Sequence, residues 1–176
     1  MRKIVAFAGS NSKKSINRKL IDYVVKNVEG YETEVLDLND YEMPIFSLER
    51  EQELGKHELA QKFIDRLSTA DIIIASLAEY NGSYTSAFKN VLDWCSRIKK
   101  EVFAHKPMLL MCATTSAGGG KSVLDAAKLR FTIMSADIQE VFSLPSYKLT
   151  FDEVADEISD ETKKKELMKI IEKVFG

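Results

Sequence analysis

The stretch ADIIIASLAEYNGSYTSAFKNVLDW, residues 70–94, decides the fold. Asp71–Leu77 is rich in β-branched residues, which predicts a buried strand. Ser86–Ile98 has apolar residues at helical spacing, which predicts a helix. Between them Tyr80 precedes Asn81–Gly82, a dipeptide that favours a turn with positive φ. A strand, a loop and a helix in this order predict one βα unit of a parallel sheet.

The same alternation continues along residues 1–176, which predicts a single domain. Further strands are predicted at Lys3–Gly9, Glu32–Leu38, Pro107–Thr114 and Asp137–Leu144. Further helices are predicted at Ile16–Val28, His57–Ala70, Lys121–Met134 and Asp160–Phe175. Tyr41–Leu54, which contains Pro44, is expected to be a long loop. Five strands alternating with five helices predict an α/β fold, a parallel sheet with helices on both faces.

Composition and charge exclude several classes of protein. The net charge of −2 argues against binding to nucleic acid or to an anionic membrane. The first residues, MRKIVAFAGSNS, are expected to form a strand rather than a secretory signal. Cys95 and Cys112 are expected to be reduced core thiols of a cytoplasmic protein. His57 and His105 have no metal-ligand spacing, so no metal site is expected.

The ligand of such a sheet is expected beyond the carboxyl ends of the strands. In a flavodoxin-like order, 2-1-3-4-5, the crevice lies between the first and third strands. The loops after strands one, three and four should therefore carry the site. These three loops are the ones with unusual composition.

The first loop, GSNSKKSIN at Gly9–Asn17, indicates a phosphate site. It leads into a helix start, where free N–H groups and the helix dipole favour an anion. Hydroxyls of Ser10, Ser12 and Ser15 and the amide of Asn17 can donate to phosphate oxygens. Loss of that amide together with the Ser15 hydroxyl is therefore expected to weaken binding strongly and to leave the fold intact. The alternative is that Ser15 caps the helix and the rest is a polar turn.

The third loop, TTSAGGGKS at residues 114–122, ends like the phosphate loop of nucleotide triphosphatases. That pattern needs a glycine where Thr115 stands, which argues against an ATPase. Gly118–Gly120 costs backbone entropy, so the three glycines suggest close approach of a ligand or a mobile lid.

No side-chain set for acid/base or nucleophilic catalysis is evident, so no catalytic residue is predicted. Phosphate donors without such a set fit a cofactor that brings its own chemistry.

Three blocks together resemble the NADPH-dependent FMN reductase family of flavodoxin-like fold, which includes quinone, chromate and azo-dye reductases. They are FAGSNSKKSINRKL at residues 7–20, the stretch 70–94 and TTSAGGG at residues 114–120. The resemblance covers about Lys3 to Phe142. It implies FMN as cofactor, NADPH or NADH as co-substrate, and hydride transfer through the flavin to quinone-like or other small acceptors.

The resemblance also implies the site residues. It assigns the FMN phosphate to Ser10, Asn11, Ser12, Ser15, Ile16 and Asn17, one edge of the ring to Glu79, Tyr80, Asn81, Gly82 and Ser83, and the other edge to Thr115, Ser116, Ala117, Gly118 and Gly119. A phosphate-based site is expected to favour FMN over riboflavin and FAD.

The chain departs from the family pattern at three positions. Many members have arginine at Ser12 and proline at Ala78 and Thr85. The phosphate charge must then be met by backbone, hydroxyls, and Lys13 or Lys14, and the loop Glu79–Ser83 is expected to be less rigid.

Assembly and two other functions stay open from the sequence. The family forms homodimers or homotetramers, and Phe88, Leu92 and Trp94 predict a homodimer through helix Ser86–Ile98. The alternative is that Trp94 packs in the monomer core. A flavodoxin-type electron carrier or a flavin-free interaction protein are the competing functions.

Overall fold

Five parallel strands form the central sheet of the computed structural model, which describes all residues from Met1 to Gly176. Numbered among themselves, these five strands have the predicted order 2-1-3-4-5. Two short hairpins add four strands to the numbering along the chain but do not join the sheet. The central order is β2-β1-β3-β6-β7. The strands are β1 Arg2–Gly9, β2 Tyr31–Leu36, β3 Ile72–Leu77, β4 Glu79–Tyr80, β5 Ser83–Tyr84, β6 Pro107–Ala113, β7 Asp137–Leu144, β8 Phe151–Asp152 and β9 Glu157–Ile158.

Seven α-helices and one 3-10 turn, Leu38–Tyr41, accompany the sheet. The helices are α1 Ile16–Lys26, α2 Leu48–Leu54, α3 Glu58–Ser68, α4 Ser86–Ile98, α5 Lys121–Ile133, α6 Tyr147–Thr150 and α7 Glu161–Phe175. None of them combines the length and the hydropathy that a membrane span requires.

The core lies in two layers, one on each face of the sheet. Helices α3, α4 and α5 cover one face over a cluster of 30 buried residues, and α1 and α7 cover the other over a cluster of 21. Strand β3 is buried along its whole length. This explains its unbroken apolar sequence, since a central parallel strand meets helices on both sides.

Helix α2 corrects the prediction of a long loop over Tyr41–Leu54. Ser47 caps it by accepting the N–H of Arg50 at 3.2 Å, and Gly55 ends it with a φ of +68°. None of its residues is buried. The sequence therefore has no amphipathic pattern there, and Ser47 as a helix cap is the local feature that indicates a helix start.

Trp94 overturns the argument for a dimer contact at α4. Its indole Nε1 donates to the carbonyl of Pro44 at 2.7 Å, and its ring meets Phe46 edge-on at 5.2 Å. Phe88 and Leu92 are buried in the same layer. The apolar residues of α4 are thus all used inside the monomer, so they give no evidence of an interface.

Both cysteines are buried free thiols. Burial raises the pKa of each thiol to about 12, and the nearby carboxylate of Glu79 adds to the effect at Cys112. Both thiols are therefore neutral at physiological pH, and a neutral thiol is a poor nucleophile.

Candidate functional site

A cleft of about 230 Å³ opens at the carboxyl ends of β1, β3 and β6. The loops after these strands form its walls, which is where the strand order puts a ligand. We call it the central cleft. It is lined by Ser10, Ser12, Lys14, Ser15, Ile16, Asn17, Ala78, Glu79, Tyr80, Ala113, Thr114 and Thr115.

Sequence-predicted residues fall into two groups around this cleft. Those in the lining are Ser10, Ser12, Ser15, Ile16, Asn17, Glu79, Tyr80 and Thr115. The remaining ones lie in the same three loops outside the lining: Asn11, Asn81, Gly82, Ser83, Ser116, Ala117, Gly118 and Gly119. Ala78, Ala113 and Thr114 line the cleft as well and were not among the predicted residues, and Lys14, which the sequence offered as a charge partner for phosphate, also lines it.

The serines of the first loop hold its backbone in shape. Ser10 Oγ accepts the N–H of Ser12 at 3.2 Å, and Ser12 Oγ accepts the N–H of Lys14 at 3.3 Å. Ser15 Oγ accepts the N–H of Arg18 at 3.2 Å and so caps α1. Each hydroxyl oxygen is thus an acceptor within the loop, while its own proton stays available as a donor.

The start of α1 offers free positive charge to an anion. The backbone N–H groups of Ile16 and Asn17 make no hydrogen bond within the chain, as is usual for the first turn of a helix. Lys13 and Lys14 are exposed and make no ion pair, whereas Arg18 pairs with Asp22 at 2.8 Å. These groups fit a phosphate group, and they do so without the arginine that many family members have at Ser12.

The side chain of Asn17 corrects the expectation that its amide donates to phosphate. It is 1% exposed, and its Nδ2 donates to the carbonyl of Ala113 at 3.0 Å. Its Oδ1 accepts the N–H of Ala113 and the hydroxyl of Ser76, both at 2.8 Å. The amide therefore positions the ends of β3 and β6. The lone hydroxyl of Ser76 in an apolar strand was the sequence signal for such a buried partner.

The second loop, which follows β3, forms a tight hairpin over residues 79–84. Tyr80 pairs with Ser83 across a two-residue turn in which Asn81 has a φ of +53° and Gly82 a φ of +75°. Two successive positive φ values are typical of the hairpin turn that Asn-Gly favours, so the sequence-based expectation of positive φ is confirmed. Tyr80 is 57% exposed beside the cleft.

Thr85 and Glu79 attach this hairpin to its neighbours. Thr85 Oγ1 donates to the carbonyl of Gly9 at 3.0 Å and accepts the N–H of Phe88 at 3.1 Å. Glu79 Oε1 accepts the N–H of Val123 in the first turn of α5 at 3.1 Å. Thr85 thus holds the loop in place through hydrogen bonds. The sequence had led us to expect a less rigid loop here, because many family members have proline at this position. Glu79 is the one carboxyl group in the cleft lining, and it serves as a helix cap.

The three glycines of the third loop differ in why the structure needs glycine there. Gly119 and Gly120 have φ values of +63° and +68°. A Cβ atom at Gly119 would collide with Ser143 Oγ, and one at Gly120 with Cys112 Sγ. Packing within the chain thus accounts for two glycines that the sequence had assigned to a ligand or a lid. Of the three, only Gly118 would accept a Cβ atom without a clash, since its nearest neighbour would be Ser116 Oγ at 3.7 Å.

The family model described as NADPH-dependent FMN reductase matches residues 2–153. A NADPH:quinone oxidoreductase of Arabidopsis thaliana is 30% identical over 124 residues, which are 68% of this chain and 62% of that protein. An NAD(P)H-dependent FMN reductase of Pseudomonas aeruginosa is 27% identical over 137 residues, 77% of this chain and 71% of that protein. The match thus spans under two thirds of the plant protein's length.

Solved structures share the fold. The flavoenzyme NAD(P)H:(acceptor) oxidoreductase FerB of Paracoccus denitrificans superposes with a TM-score of 0.80 at 21% identity, covering 99% of this chain and 96% of that one. An FMN-dependent NADH-azoreductase of Bacillus anthracis, solved in complex with FMN, has a TM-score of 0.70 at 12% identity, covering 99% of this chain and 100% of that one. At these identities the likeness shows the flavodoxin-like fold.

Replacing Asn17 by alanine should destabilise the fold. Asn17→Ala leaves the buried N–H and carbonyl of Ala113 without partners, which costs about 3 kcal/mol of unfolding free energy. The melting temperature should fall by roughly 10 °C. Asn11→Ala in the same loop is the control, because Asn11 is exposed and makes no side-chain hydrogen bond, and it should change stability by less than about 0.5 kcal/mol. Equal stability of both variants in urea unfolding would contradict this role.

Gly120→Ala should be far more damaging than Gly118→Ala. The methyl group at Gly120 meets Cys112 Sγ in a left-handed backbone conformation, which costs about 2 to 4 kcal/mol. The methyl group of Gly118→Ala would make only an ordinary contact with Ser116 Oγ, so the free energy of unfolding should change by less than about 0.5 kcal/mol. In a Cys112→Ala background the cost at Gly120 should shrink, because the colliding sulfur is gone. An unchanged cost in that double-mutant cycle would reject the packing explanation.

Proposed function

The chain belongs to the NADPH-dependent FMN reductase family, and from that premise we propose that it is an NAD(P)H-dependent oxidoreductase with FMN as its cofactor. It takes hydride from NADPH or NADH and passes electrons to quinone-like or other small acceptors. FMN supplies this redox chemistry when it is bound, and the chain supplies binding and orientation.

The first loop carries the proposal. Two unpartnered N–H groups at the start of α1, three serine hydroxyls and the charge of Lys14 belong to residues that line the central cleft. Charge-assisted hydrogen bonds from such donors are about twice as strong as neutral ones. The loop therefore favours a ligand that carries phosphate at this end of the cleft.

The hairpin and the third loop are the proposed walls for the flat ring. The N–H groups of Asn81 and Gly82 make no hydrogen bond within the chain. Donors held by a rigid turn favour negative charge on a neighbouring ligand edge without reorganising. On the opposite side, Gly118 has no side chain that could cover the ring, so one face of the ring stays accessible.

Glu79, the one carboxyl group of the cleft lining, is bound to α5, and Lys14 is assigned to the phosphate. We therefore assign no proton transfer to a side chain. Donor and acceptor use the same narrow space in turn, which predicts ping-pong kinetics.

A spectroscopic and kinetic experiment tests the proposal. The protein, purified without added flavin and then titrated with FMN, should show the absorption of bound oxidised flavin and should lose it on addition of NADPH or NADH. Double-reciprocal plots for NADPH and a quinone should be parallel. Riboflavin should bind at least about tenfold more weakly than FMN, because it lacks the phosphate contacts.

Three results would redirect the assignment. Equal affinity for riboflavin and FMN would reject the phosphate site. Intersecting lines would reject the shared space. An FMN-bound protein that neither nicotinamide nucleotide reduces would identify an electron carrier instead.

The free, buried thiols of Cys95 and Cys112 support a reducing compartment, so we propose the cytoplasm as location.

We also propose a homodimer, now through α5 instead of α4. Leu129 and Ile133 are 70% and 61% exposed and lie four residues apart, on one face of α5. Light scattering should give twice the chain mass of 19.9 kDa at micromolar concentration. Leu129→Lys with Ile133→Lys should yield the monomer, whereas the same change at exposed Leu149 should not. A 19.9 kDa wild-type species would contradict the proposal.

A further inference from the structure

A second cavity, of about 490 Å³, lies on the other side of the first loop, between that loop and the end of β2. We call it the β2-side cavity. Ser10, Ser12, Lys14 and Ser15 line both it and the central cleft, so the first loop is a wall common to the two spaces. The proposed FMN site uses the cleft side of this wall and leaves the β2-side cavity without a role.

The β2-side cavity combines an apolar floor with a charged rim. Ala8, Leu36 and Leu38 form the floor. Lys13 and Lys14 on the rim make no ion pair. A flat, weakly polar group against the floor and a phosphate at the lysines would match these surfaces.

The other charged groups of the rim are mostly paired. Arg18 and Asp22 bind each other at 2.8 Å, and Lys19 binds Asp156 at 3.0 Å. Glu153 completes the rim and makes no ion pair. Its carboxylate repels an anion, so a phosphate belongs near Lys13 and Lys14.

Asp37, directly after β2, has one carboxylate oxygen without a hydrogen-bond partner. Its Oδ1 accepts both the backbone N–H of Asn39, at 2.9 Å, and the side-chain amide of Asn39, at 2.8 Å. Its Oδ2 makes no hydrogen bond within the chain. The Asn39 backbone N–H, with Arg18 and Lys13 nearby, holds the pKa of Asp37 below its usual range, so the carboxylate is ionised at neutral pH. In dinucleotide-binding sheets an acid after the second strand accepts the hydroxyls of the adenosine ribose.

We propose that the β2-side cavity binds the adenosine monophosphate half of FAD, so that the chain accepts FAD as well as FMN. A pyrophosphate bound at the first loop carries riboflavin on one phosphate and adenosine on the other, and the loop borders one cavity for each of these two arms. The flavin arm takes the central cleft, and the adenosine arm takes the β2-side cavity with its ribose at Asp37 Oδ2. This inference rests on the proposed flavin site, and it reverses the sequence-based expectation that FAD binds worse than FMN.

Titration of the full chain with FAD and FMN tests the inference. The two dissociation constants should agree within about tenfold. Asp37→Ser keeps a hydroxyl to cap the turn Leu38–Tyr41 but loses the free oxygen, so FAD should bind roughly tenfold more weakly, the effect of one charged hydrogen bond. FMN binding should change by less than about twofold, because Asp37 is absent from the central cleft. Asp40→Asn, an exposed acid in the same turn, is the matched control and should change neither.

The outcomes separate the inference from the function beneath it. FAD binding that is unchanged in Asp37→Ser, or more than about tenfold weaker than FMN binding in the wild type, overturns the adenosine site. Equal weakening of FMN and FAD by Asp37→Ser overturns it too. If Asp37→Ser weakens only the binding of NADP⁺ to the FMN-loaded chain, the cavity binds a free adenosine phosphate. That result overturns the FAD proposal. If neither flavin binds, the proposed function itself fails.

Discussion

The buried side chain of Asn17 is the contact on which the site depends. One amide group binds both backbone polar groups of Ala113 and the hydroxyl of Ser76. It therefore fixes the start of α1 against the ends of two sheet strands, with no water to compete because the residue is buried. The direction in which the free N–H groups of α1 point follows from this attachment.

The remaining walls are held in the same manner, by side chains that bind backbone. Thr85 joins the hairpin to β1, and Glu79 joins it to α5. Ser143 Oγ donates to the carbonyl of Gly119 at 2.6 Å and holds the third loop against β7. Each wall is attached to the next, so a ligand meets a cleft whose shape is set before binding, and little ordering entropy opposes it.

The sequence predicted the sheet well because its central strands are buried on both faces and read as unbroken apolar runs. It also predicted the turn at Asn81–Gly82, since local steric preference decides that turn. It did not reveal the structural partners of Asn17, Glu79 and Gly120, which lie 96, 44 and 8 residues away along the chain. Polar residues in a loop look alike in sequence whether they face a ligand or a buried carbonyl. The exposed helix α2 was missed for a different reason, because a helix with no buried face leaves no periodic pattern.

The close packing of Gly120 over Cys112 has a consequence for oxidative damage. Oxidation of a thiol to sulfenic acid begins from the thiolate and adds an oxygen atom to the sulfur. Burial keeps the thiol of Cys112 protonated, and Gly120 leaves no room beside its sulfur for even a methyl group. A peroxide molecule at the third loop would therefore meet a thiol that is protonated and closely packed, and this arrangement protects Cys112 from oxidation.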